Sequence, residues 1–147
     1  MPIAINGSGT VTGISVGGLP DGIVDADMLA ANAVTEAKLG TDQQQGLAKA
    51  WVNFNGTGTV AIRDSFNVSS ITDNGTGDYT INFTSALANA NYVITGSSGG
   101  QSSTSNGGVY QYDQATAKTT SAFRMITITT SGGITDTPII AVAVFGD

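Results

Sequence analysis

The sequence predicts an all-β protein, an antiparallel β-sandwich or jelly-roll-like head of about eight strands behind an extended, partly helical N-terminal attachment segment. Three observations lead there. Charged residues make up 11% of the chain, well below the roughly 25% of an average soluble domain. Glycine is abundant, at 20 of 147 residues, as tight turns between short strands require. From Ala50 onward, apolar and polar residues alternate with the period of two that a half-buried strand imposes. A hydrophobic content of 40% separates the chain from disordered sequences, which combine low hydrophobicity with high charge.

The elements follow in order. Thr41 to Ala50, with Gln, Leu, Ala and Lys, reads as a short helix or linker with an N-cap at Thr41 and a weak point at Gly46. Trp51, Asn53 and Asn55 then face one way and Val52 and Phe54 the other. Val60 to Arg63, Phe66 to Ile71 and Tyr79 to Phe83 continue the pattern, and Asn91 to Thr95, Gly108 to Tyr112, Ala122 to Thr130 and Pro138 to Phe145 complete it. Asn55-Gly-Thr-Gly58 and Asp73-Asn-Gly-Thr-Gly-Asp78 supply positive-φ residues for hairpins. Gly96 to Gly107 is a long, small and polar connection, either functional or loosely held.

Ahead of this head, Gly22-Ile-Val-Asp-Ala-Asp-Met-Leu29 is echoed ten positions later by Asn32-Ala-Val-Thr-Glu-Ala-Lys-Leu39. So short a repeat cannot bury its own apolar residues, and Ile23, Val24, Leu29, Val34 and Leu39 are expected to associate with other copies. Closure about a three-fold axis, a homotrimer, is the expected form. The expected organisation is an arm at 1–21, an association segment at 22–49 and the head at 50–147.

Composition excludes several functions. A net charge of −6 with five scattered cations, Lys38, Lys49, Arg63, Lys118 and Arg124, disfavours nucleic acid, whose phosphates need clustered bases. Neither cysteine nor histidine occurs, so the commonest thiol nucleophile, general base and zinc ligand are missing and catalysis is not expected. No cofactor or metal is expected either. Apolar runs such as Ile139 to Phe145 are too short for membrane insertion, and the N-terminus lacks the pattern of a signal peptide.

The remaining constellations have ordinary readings. Asp73 to Asp78 gathers oxygen ligands in a glycine-bearing turn but lacks a calcium loop's spacing and closing glutamate, so it is read as a hairpin. The acids fall mostly in turns, with only Asp64 and Asp113 near strand ends, which gives no carboxylate pair for glycoside hydrolysis. Most of the aromatic residues read as core. Tyr110 and Tyr112, two apart beside the long polar connection, are the best exposed candidates, so Gly99, Gln101, Ser103, Tyr110 and Tyr112 form the candidate ligand-contact set.

Two stretches resemble known proteins. Residues 22 to 39, with their Ala-Val-Thr-x-Ala-Lys-Leu core, resemble the decapeptide repeats of bacteriophage tail-fibre and appendage proteins. Lys49-Ala-Trp-Val-Asn-Phe-Asn-Gly-Thr-Gly-Thr-Val-Ala-Ile-Arg-Asp-Ser-Phe66 and its continuation to Phe83 resemble a β-domain found at the C-terminal end of such fibres, especially in phages of aquatic bacteria. The resemblance covers about residues 22 to 95. It implies a non-enzymatic virion component, usually a homotrimer with a distal β-knob, that partners other virion proteins of tail, baseplate or capsid; the open alternatives for the head are contact with a host-surface glycan and a purely architectural role. Two repeats imply a short fibre or spike, with a capsid decoration protein as the alternative and a free carbohydrate-binding module as a second. Ile3, Ile5, Val11 and Ile14 would then form the virion anchor.

Overall fold

The structure, a computed structural model, describes residues 29–100, 107–111 and 118–146. The chain divides into two compact units, residues 1–39 and 40–147. In the first, the described residues hold a 3-10 turn at Glu36–Lys38, and the backbone N–H of Lys38 donates to Thr35 at 2.8 Å. The second opens with a short helix, α1 (Thr41–Gly46). Its N-cap is Gly40, where Thr41 was expected: the Gly40 carbonyl already accepts the Gln44 N–H at 3.0 Å, and no side chain caps the helix. The helix stops at Gly46, and Leu47 is extended.

Eight antiparallel strands follow, as the alternation predicts: β1 (Ala48–Asn55), β2 (Ala61–Phe66), β3 (Val68–Gly75), β4 (Asp78–Phe83), β5 (Val93–Gly99), β6 (Gly107–Gln111), β7 (Ala122–Ile128) and β8 (Ile139–Phe145). They form one sheet in the order β2-β1-β8-β5-β6-β7-β4-β3. Strands β5, β6 and β7 are neighbours in sequence and in space, and β8 returns to lie beside β5, which is a Greek key.

One sheet face is apolar, and the sheet curls around it. Phe54 of β1 and Tyr79 of β4 have four strands between them in the sheet, yet their rings meet edge to face with centroids 5.2 Å apart. The core they share also contains Val52, Ile81, Phe83, Tyr92, Phe123, Met125, Ile140, Val142 and Val144. Phe83, Tyr92 and Phe123 form an aromatic triplet with centroids 5.7 to 6.3 Å apart, spacings at which aromatic pairs add about 0.5–1.5 kcal/mol beyond simple burial.

The two ends of the sheet, β2 and β3, are joined by a single residue. Asn67 adopts φ of 54°, and its amide ties the corner by donating to the carbonyls of Lys49 (3.0 Å) and Ser85 (3.1 Å). Asparagine tolerates this left-handed conformation better than most residues do.

The Gly96 to Gly107 connection differs from expectation. Gly96, Ser97, Ser98 and Gly99 continue β5 and pair with Val142, Ala141, Ile140 and Ile139 of β8. A Cβ built at Gly96 would lie 2.6 Å from the Ala141 carbonyl, so glycine allows a close strand approach that composition alone disguises as a loop.

Candidate binding face

The outward side chains of β2, β1, β8 and β5 are set by the register of their ladders. One cross-strand row runs Phe66, Trp51, Ala143, Thr95; the next runs Asp64, Asn53, Ala141, Ser97. A third row places Ala48, Phe145 and Val93 side by side. The intervening Val52, Val142 and Val144 point into the core, so parity drives Trp51 outward and leaves it 37% exposed. Phe66, directly opposite on the edge strand β2, is more exposed still.

Small residues make this face concave. Between Trp51 and the β5 residues Thr95 and Ser97 lies a shallow groove of about 400 Å³, with Ala141 and Ala143 as its floor. Asn53 borders it, and the Arg63 guanidinium holds the Asn53 side-chain oxygen at 3.2 Å while also donating to the Pro138 carbonyl. With its oxygen engaged, the Asn53 carboxamide presents its N–H₂ as the remaining polar group.

Toward the start of β5 the face continues into a second cleft of about 370 Å³, lined by Gln45, Asn89, Asn91, Val93, Phe145 and Gly146. The two clefts share their strands: Val93 and Thr95 are successive outward residues of β5, and Phe145 and Ala143 of β8. The backbone N–H of Asn91 donates to the Asn89 side-chain oxygen at 2.7 Å, which fixes that carboxamide. Among the described residues, no charged side chain lines either cleft. The arrangement can offer an apolar aromatic surface flanked by carboxamides and hydroxyls, which are neutral groups that both donate and accept.

The ion-paired and shifted groups lie elsewhere. Asp78 forms a bidentate pair with Arg124, at 2.8 Å to Nε and 2.5 Å to Nη2, and Arg124 holds its carboxyl below the usual range. Asp73 accepts the Gly75 backbone N–H at 2.9 Å. Asp73 thus builds the turn of the β3–β4 hairpin, with Gly75 and Gly77 at positive φ, while Asp78 ties β4 to β7. At the same end of the head, burial and the Asp136 carboxylate push the Tyr79 phenol well above the ordinary tyrosine range.

The expected site residues are dispersed. Gly99 ends β5, paired with Ile139; Tyr110 lies in β6 opposite Ile126; Gln101, Ser103 and Tyr112 lie outside the described residues. Of the association set, Leu29 and Val34 are exposed and Leu39 is half-buried, while Ile23 and Val24 lie outside the described residues, as do Ile3, Ile5, Val11 and Ile14. Sequence reasoning did not single out the Trp51 face. Its one local signal is that Trp51 alternates out of phase with Val52 and Phe54.

Comparison of the chain with protein-family models, curated proteins and solved structures returns no match.

Proposed function

We propose that this chain is a non-enzymatic structural subunit of a bacteriophage virion, a short homotrimeric fibre or spike whose β-head contributes to host attachment. The observation that carries the reading is the ten-residue echo, whose Leu29 and Val34 stay 45% and 54% exposed in the single chain. Apolar side chains repeated at a fixed spacing and left uncovered favour association, and three-fold closure covers them without open-ended growth. The head supports an adhesive part: its single tryptophan lies on an outward sheet face beside a groove, while the core is filled by other residues.

Light scattering on the full chain tests the assembly, with a trimer expected and a stable monomer at micromolar concentration rejecting it. Immunogold labelling of phage particles tests the location. Label on fibres or spikes is expected, whereas label over the capsid lattice would move the protein to decoration.

A further inference from the structure

We propose that the outward face of β1, β8 and β5 is a groove for a linear, uncharged glycan, with Trp51 as its stacking platform. This gives a ligand class to the adhesive role proposed above and rests on it.

Four observations converge. First, Trp51 is the chain's only tryptophan and is 37% exposed on the outward surface of its strand. An aromatic face left in water at the edge of a groove suits the C–H face of a pyranose ring, which is apolar on one side and rimmed by hydroxyls. Second, the floor beside the indole is Ala141 and Ala143, so a ring can lie close to the sheet without meeting a longer side chain.

Third, the polar groups along the rim are Asn53, Thr95 and Ser97 in one cleft and Gln45, Asn89 and Asn91 in the other. Carboxamides and hydroxyls both donate and accept, as sugar hydroxyls do, and two of these carboxamides are already oriented, by Arg63 and by the Asn91 backbone. Fourth, among the described residues the lining carries no charge, and the chain has a net charge of −6. An acidic polysaccharide would meet no cation in the lining itself, since Arg63 at the Asn53 rim is engaged with Asn53 and the Pro138 carbonyl, and would be repelled by the field of the whole protein. Length sets the form of the ligand: from Val93 to Ser97 the strand runs about 13 Å at roughly 3.3 Å per residue, room for more than one sugar.

The test uses the full chain and the intrinsic emission of its one tryptophan. The probes are neutral hexasaccharides of α- and β-linked glucose, mannose and galactose, with oligogalacturonate as the acidic comparator. A saturable change in Trp51 emission with at least one neutral probe, and none with the acidic one, is expected. Thr95→Arg changes an exposed position outside the core, keeps the reporter and should weaken binding about tenfold or more, the effect of blocking a central contact. Calorimetry on Trp51→Ala, with circular dichroism confirming the fold, should show a loss of the same size.

No saturable response to any neutral probe overturns the proposal, as does a response to the acidic probe alone. If Thr95→Arg instead lowers the oligomeric state while no sugar binds, the face belongs to a second copy of the chain, which also overturns it. Failure of the virion reading shows in particle labelling and leaves these binding measurements standing, so the two ideas fall separately.

Discussion

The phenol of Tyr79 donates to the Asp136 carboxylate at 2.8 Å, joining β4 to the β7–β8 connection across 57 positions of sequence. The Gly56 carbonyl lies 2.9 Å from the same hydroxyl, and the Asp136 oxygen also accepts the Gly77 backbone N–H at 2.6 Å. Tyr79 and Asp136 together therefore gather the β1–β2, β3–β4 and β7–β8 connections at one end of the head. Gly56 adds a further tie, its N–H donating to Thr137 at 3.0 Å.

Tyr79→Phe keeps the ring and its contact with Phe54 but removes the hydroxyl, leaving acceptors behind in a partly buried site. The expected cost is about 1–3 kcal/mol. Urea denaturation checks it through a lower midpoint at unchanged slope.

Alkali should unfold the head earlier than ordinary tyrosines would dictate. Burial pushes Tyr92 from 10.0 to about 12, and Tyr79 rises further. The fold thus favours the protonated phenols, so their contribution is complete below pH 10 and is lost as pH rises through the folded values. Melting temperatures should fall between pH 10 and 12, and Tyr92→Phe should flatten that fall.

The acid limb has the opposite sign. Arg124 holds Asp78 below its ordinary value of 3.8, so the pair's contribution is present above 3.8 and disappears as pH falls through the lower folded value. Asp78→Asn should lower stability at pH 7 and leave it less dependent on pH below 3.8. Denaturant titrations at neutral and acid pH make the comparison.

Two glycines with nearly equal φ should respond differently. Gly58 (φ 64°) has open space where a side chain would go, whereas a Cβ at Gly77 (φ 62°) would sit 2.7 Å from both Ile134 Cγ2 and the Thr135 carbonyl. Gly58→Asn should be nearly neutral, because asparagine visits this conformation readily. Gly77→Asn should cost about 2–4 kcal/mol, mostly from overpacking. Thermal melts of the two variants decide the point.

Leu29→Ser with Val34→Ser should weaken the proposed trimer and leave the head folded. Sedimentation equilibrium is expected to show smaller species with an unchanged β-type circular dichroism spectrum. A trimer of undiminished stability would place the association surface elsewhere.

The strands were legible in the sequence where one face is buried and the other wet. Tyr79, Ile81 and Phe83 are all buried while their neighbours are not, and local alternation states that directly. β5 was only half legible: Gly96, Ser97, Ser98 and Gly99 have turn chemistry, and only their pairing with β8, 40 to 46 positions away, makes them a strand. The candidate face was illegible for the same reason. Trp51 could be placed outward, but Ala143 and Thr95 become its neighbours through the strand order β1-β8-β5, which no local pattern encodes. Asp136 looked like one turn acid among several, because its partners Gly77 and Tyr79 lie on another hairpin.

β1 is flanked on both sides by hydrogen-bonded neighbours, β2 and β8, and it is the strand into which the chain runs from the N-terminal segment. A force applied along the axis of β1 would load its two ladders in shear, their bonds sharing the strain in parallel. Peeling, in which bonds break one after another, would need a force applied across the strand instead. Trp51 sits on this same strand. A load on that indole would therefore fall first on the two ladders that hold β1, with the rest of the head serving as its clamp.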